Sequence, residues 1–432
     1  MPTRLTLRQS ATAIGLTAIL TVSACTSKGD KAAIGPTATA LPTATESPRV
    51  TPSPETIAPT LAPGIASIDC TAANPSCREL FIQGDAPARL PDGRPSPARG
   101  FADPSLRRDP QTGRIWMAYS WPHISGTGAV ATVTVDSHLA HSDDGGRTWL
   151  FDRALWRSQA ERDPTTGEAG YSNHEAVSLY PRQTANGVVW YSARLRYFTR
   201  PGSGFKIGTF HLRVAQAASP LSLGDAHEGI LGGALTPKEW QADTSLSGLA
   251  REVNGCTWSD PGILFTNDRL FLAAQCMLFS PQGELYDQEF VALFATQPEG
   301  PVSSWKWSYL GKLSNAQDAK ELGGKSLFQT DLAHARDGRL LAIFSPSMEG
   351  ERLEAHTGCV AVEVASLNPP MLARDGEGRL TIRARVTASD LAPQGPGACG
   401  YDASSETGIV IMRRNVGPGR LIGALYQTGL RP

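Results

Sequence analysis

The chain is poor in lysine and has no run of basic residues. Its 40 Lys and Arg stand against 41 Asp and Glu, for a formal net charge of −1. A nucleic-acid partner, which needs a basic face, is therefore not expected. No CxxC pair or His cluster occurs, so structural zinc finds no support. G-x-S-x-G, H-E-x-x-H and P-loop patterns are also missing, which removes the common nucleophile-elbow, zincin and NTPase chemistries. No long amphipathic helical pattern is present. No apolar run reaches the roughly 20 residues that a bilayer-spanning helix needs.

What is present begins at the N-terminus. Arg4 and Arg8 precede the uncharged stretch 11–24, ATAIGLTAILTVSA. It is too short to span a bilayer and reads as a signal-peptide core. It ends Val22-Ser23-Ala24-Cys25, which resembles the bacterial lipobox. The resemblance implies cleavage before Cys25, diacylation of its sulfur, and a membrane-anchored lipoprotein working outside the cytoplasm. The competing reading is a short buried helix with an ordinary thiol. Residues 26–66 are rich in Thr, Pro, Ala and Ser and hold no aromatic residue. Such a segment cannot offset its ordering entropy by burial, and its prolines favour an extended stalk. The division expected is residues 1–24 signal peptide, 25–66 lipidated Cys and linker, and 67–432 one folded domain. The lipid is then the only membrane contact, and the body is expected to be a monomer.

Seven cysteines are present, and Cys25 takes the lipid. The remaining six, Cys70, Cys77, Cys256, Cys276, Cys359 and Cys399, allow fifteen connectivities. An oxidising compartment makes disulfides the default. Pairing of sequence neighbours is the reading adopted: Cys70–Cys77, Cys256–Cys276 and Cys359–Cys399.

One pattern recurs along the body: an acid, a short apolar strand, a turn, and a second apolar strand. The copies begin at Asp103, Glu175, Asp260, Asp331 and, more weakly, Glu406, at spacings of 72, 85, 71 and 75 residues. A few short strands per period of this length describe a propeller blade. The fold expected is all-β, a five-bladed β-propeller. A six-bladed propeller and a pair of β-sandwiches are the alternatives. Five blades would need the segment near Glu79-Leu80-Phe81-Ile82 to complete the last sheet.

Residues 142–149 read Ser-Asp-Asp-Gly-Gly-Arg-Thr-Trp. Ser142, Asp144, Gly146, Thr148 and Trp149 fit the S-x-D-x-G-x-T-W pattern, which resembles the Asp-box (BNR repeat) of sialidases and related propellers. There it is a structural turn between outer strands, away from the active site. The position where sialidases carry the Arg of their Arg-Ile-Pro motif is Ala102 here. An arginine trio for such a reading would have to come from Arg194, Arg251 and Arg413. The Asp-Pro openings at Asp103 and Asp260 look more like five-bladed glycosidases of the arabinanase, xylosidase and invertase type. That resemblance implies carboxylates around one mouth of the central channel. Asp103 would be base or nucleophile, Glu175 the acid, and Asp260 would orient or tune it.

Glycosidic cleavage needs two carboxyls flanking the bond, one protonated and one ionised. A ring of inner-strand acids, extended by Asp331 and Glu406, can supply them. The plain alternative is that each acid bonds the backbone of a turn. His174 can donate to a sugar hydroxyl or serve its turn. Tyr401 can mimic a tyrosine nucleophile. Arg194 and Arg251 are further substrate-binding candidates. Trp116, Trp190, Trp258, Trp305 and Trp307 can stack on sugars or fill the core. No cofactor is required, although the hard oxygen ligands of the acid ring also suit Ca²⁺. The function expected is a surface-tethered, sialidase-like or exo-acting glycoside hydrolase with a carbohydrate substrate. The alternative is a non-catalytic propeller that binds glycan, cell wall or protein.

Overall fold

A computed structural model describes residues 65–432, except 129–130, 203, 206, 349–354, 392–395 and 418–419. The signal peptide, Cys25 and almost all of the linker lie outside the described residues. Strands dominate, and the one α-helix described is the short Ala316–Leu322, capped by Asn315.

Five antiparallel sheets succeed one another along the chain. Blade I is Ala102–Arg108, Ile115–Ser125, Thr132–Ser142 and Trp149–Trp156. Blade II is built on Ala169–Thr184, Gly187–Arg200, His211–Ala217 and Glu228–Gly232. Blade III is Thr257–Thr266, Arg269–Met277, Phe290–Thr296 and Ser308–Ser314. Blade IV is Ser326–His334, Leu340–Met348, Cys359–Leu367 and Ile382–Thr387. Blade V has three strands of its own, Pro396–Gly400, Val410–Gly417 and Arg420–Gln427. The first strand of each blade packs on the first strands of its two neighbours, and blade V returns to blade I. The ring is closed and five-bladed, so the six-bladed and sandwich alternatives do not describe it.

Closure uses the N-terminal segment. Ala66–Asp69 adds a parallel outer strand to blade IV. Arg78 and Glu79 pair with Gln427 and Tyr426 and complete blade V. Ile82–Gln83 then adds to the outer strand of blade I. One short stretch thus laces three blades together. A disulfide, Cys359–Cys399, joins blades IV and V; Cys256–Cys276 lies in blade III, and Cys70–Cys77 closes a loop after the first lacing strand. All three join sequence neighbours.

The blades are apolar on both faces because each face meets another blade. Among the described residues five large hydrophobic clusters result, one per blade interface, with a small sixth of Ala98, Val133 and Leu421. Trp116 and Trp190 fill the interface of blades I and II. Trp258, Trp305 and Trp307 fill that of II and III. All five tryptophans are buried, which corrects the sugar-stacking option for them. Burial of each such side chain contributes about 1.5–3 kcal/mol.

The 142–149 segment is the tight turn between the two outer strands of blade I. Asp144 accepts from the Thr148 and Arg147 amides at 2.9 and 3.0 Å and from the Thr148 and Ser142 hydroxyls at 2.7 and 2.8 Å. Gly145 and Gly146 take positive φ, and Trp149 is buried beneath. Slight burial pushes the Asp144 carboxyl up, but these bonds outweigh it and hold its pKa at about 2.

Candidate active site

The innermost strands share one irregularity. Each carries a β-bulge with a single residue at positive φ: Asp103, Ala176, Asp260, Gln329 and Ala398, all between 46° and 52°. Non-glycine residues avoid this region, at a cost of order 1–3 kcal/mol each, so five equivalent cases mark a built feature. The following Pro104 and Pro261 lack the amide that a bulge leaves unpaired, which is why Asp-Pro suits blades I and III.

The bulges are cross-stitched by side chains two positions on. Ser105 Oγ accepts from the Leu179 amide, and Ser178 Oγ from the Ile263 amide, 3.1 and 3.0 Å away. Asp331 does the same for the Tyr401 amide at 3.2 Å. Three of the five blade junctions, I–II, II–III and IV–V, are thereby fixed side chain to backbone, which helps to hold a precise constellation of side chains.

At the bulge ring a pocket opens, enclosing about 820 Å³ counted out to solvent. Its polar lining includes Asp103 and Ser120 of blade I, Glu175 of blade II, Asp260 of blade III, Gln329 of blade IV and Arg414 of blade V. Phe210, Met277, Phe328 and Met412 supply apolar wall. Gln329 Nε2 donates to Asp103 Oδ1 at 2.7 Å. The buried Tyr197 hydroxyl donates to Glu175 Oε2 at 3.2 Å. Burial first, then Glu175, then Asp103 and Asp260 raise the Tyr197 pKa well above that of a free phenol, so all three carboxylates lie within electrostatic reach of one hydroxyl.

A second, smaller cavity lies between the inner strands, lined by Asp103, Asp260, Gln329 and Asp331 among others. The buried Arg107 pairs with Asp331, with Nη1 at 3.2 Å from Oδ2, and also donates to the Leu332 and Tyr401 carbonyls at 2.7 and 3.1 Å. Burial alone would push the guanidinium's pKa down, but Asp331 overrides it and holds Arg107 charged.

The structure therefore separates the residues named from sequence. Asp103, Glu175 and Asp260 converge on the pocket. Asp331 does not reach it, because it sits two positions past the bulge and is taken up by Arg107 and the Tyr401 amide. Tyr401 is packed in the core between blades IV and V. Glu406 lies beside the 142–149 turn, bonded to Arg147 by two contacts of 2.7 Å. His174 alternates away from Glu175 and is buried between blades I and II. Burial and then Arg194, Arg196, Arg213 and His211 push its pKa well down. Arg194 is also buried there, paired with Glu228 at 2.7 Å and stacked on Trp156 at 4.4 Å. Burial and neighbouring arginines lower its pKa to about 10. Arg251 is exposed on a 3-10 turn, and Arg413 is held by Asp390 at 2.6 Å. The trio Arg194, Arg251 and Arg413 is not assembled. Among the described residues no group of three or more His, Cys, Asp or Glu is arranged to hold a metal, so the Ca²⁺ option gains no support.

Sequence reasoning missed Tyr197, Gln329 and Arg414. A signal for Gln329 existed: Phe328-Gln329-Thr330-Asp331 aligns with Ala102-Asp103-Pro104-Ser105, whereas matching acids shifted blade IV by two residues.

No family model matches the chain, and no curated protein does. Solved structures with similar folds include an arabinanase of Bacillus subtilis, 13% identical, covering 75% of this chain and 92% of its own, with a TM-score of 0.38. A family 117 glycoside hydrolase of Zobellia galactanivorans is 12% identical over 81% and 89%, with a TM-score of 0.43. An α-L-arabinofuranosidase of Lactobacillus brevis is 12% identical over 66% and 80%, with a TM-score of 0.36. Likenesses this distant carry no weight in the reading of the chemistry.

Proposed function

We propose that the chain is a glycoside hydrolase that works outside the cytoplasm and removes a small terminal sugar. The observation that carries this reading is the convergence of Asp103, Glu175 and Asp260, from three successive blades, on one pocket at the bulge ring. Exo action on a chain end is the mode proposed for this pocket. Asp103 is the base or nucleophile. An amide N–H that donates to a carboxylate favours its ionised form, and Gln329 supplies that bond. Glu175 is the proton donor to the leaving oxygen, and Asp260 tunes the pair through its charge. The signal-like segment ending at Cys25 and the three disulfides support an anchored, extracytoplasmic protein. The test is a panel of chromogenic sialosides, arabinosides, xylosides, galactosides and fructosides. Turnover of one of them, at a rate well above that of the buffer, is expected; silence across the panel and across natural oligosaccharides contradicts the reading.

A further inference from the structure

We infer that Tyr197 is a positioning residue for Glu175: its hydroxyl fixes the carboxyl in the pocket and governs which protonation state the pocket holds. The inference rests on the reading of Glu175 as proton donor. It comes from asking what the hydroxyl is for. The Tyr197 ring already packs fully, with Phe210 at 5.1 Å between centroids and the apolar interface of blades II and III around it. A phenylalanine would fill that volume equally well. The oxygen adds nothing to packing, and burying it requires a polar partner. That partner is Glu175 Oε2, 3.2 Å away, on the neighbouring strand of the same sheet.

The chemistry of the two carboxylate partners differs. Asp103 faces an amide nitrogen, which can only donate. Glu175 faces a phenol, which donates to a carboxylate and accepts from a carboxylic acid. A group that must hold a proton, release it and take it back needs a partner compatible with both states. The phenol itself does not ionise, since burial and the three carboxylates raise its pKa. The charged groups facing this pair are Asp103, Asp260 and Arg414 across the pocket. Arg194 and Arg196, on the same strand as Tyr197, alternate to the opposite face of the sheet.

The experiment is Tyr197→Phe in the full chain, with kcat and KM followed across pH on the glycoside the wild type turns over best. The loss of a hydrogen bond to an ionised carboxylate should move the basic limb of the profile up by about one pH unit. Turnover should fall about tenfold or more with KM within about twofold, since the bond positions a reacting group and binds no substrate. An unmoved limb and unchanged kcat in a folded variant overturn the inference. Should the variant not fold, 3-fluorotyrosine at position 197 replaces it. The stronger donor should move the limb down, and no movement overturns the inference. If the wild type turns over no glycoside, the hydrolase reading fails. Carboxyl ¹³C NMR of labelled glutamate, assigned with Glu175→Gln, then decides on the pair alone. A Glu175 titration shifted in Tyr197→Phe sustains the bond's role, and superimposed titrations overturn it.

Discussion

Arg107 of blade I and Asp331 of blade IV, 224 residues apart in sequence, meet in a buried ion pair that joins the two inner strands. Both are buried, so each depends on the other. Removing one partner leaves an uncompensated charge, which typically costs about 3–5 kcal/mol. We expect Arg107→Met and Asp331→Asn each to lower the melting temperature sharply, and the double substitution to lower it less than the sum. Additive losses in thermal denaturation would show that the pair does not couple.

The lacing segment makes a second claim. Ala66–Asp69, Arg78–Glu79 and Ile82–Gln83 join three blades, and blade V has only three strands of its own. Deletion through residue 84 is expected to leave an open ring with exposed strand edges. Protease resistance should collapse in blades IV, V and I together. A truncated chain as resistant as the full one would refute this closure.

The Cys359–Cys399 bridge closes a 40-residue separation between blades IV and V. Paired replacement by serine is expected to cost about 2–4 kcal/mol in chemical denaturation. An unchanged midpoint would count against the bridge as a clamp.

Asp144 supplies a pH dependence. Its pKa of about 2 lies below the 3.8 of an unfolded aspartate. A lowered folded pKa contributes stability that is present above the unfolded value and is lost as pH falls through the folded one. Asp144→Asn should therefore reduce stability at neutral pH and flatten its fall between about pH 4 and pH 2. The turn is partly exposed, so the loss is small, about 1 kcal/mol. Parallel acid-denaturation curves for wild type and variant would contradict it.

Much of the fold was legible because a propeller repeats. Apolar strand pairs at near-even spacing and a spare strand near Glu79 both point to one closed ring. The site was legible in part, for a physical reason. Acids at repeat starts mark the strand ends that meet at a mouth, so Asp103, Glu175 and Asp260 line the candidate pocket. Asp331 and Glu406 were carried along because like residues were matched, whereas the geometric repeat is a backbone conformation. Ala176, Gln329 and Ala398 hold the positive-φ position without an acid. Tyr197 left no local signal, since its partner is 22 residues away across a hairpin.

The most direct test of the whole reading replaces the two principal carboxyls, Asp103→Asn and Glu175→Gln, and follows glycoside turnover beside melting curves. We expect both variants to fold and each to lose at least about a hundredfold in kcat, as removal of a general acid or base does. Folded variants with wild-type turnover would contradict the assignment of this pocket as the catalytic centre.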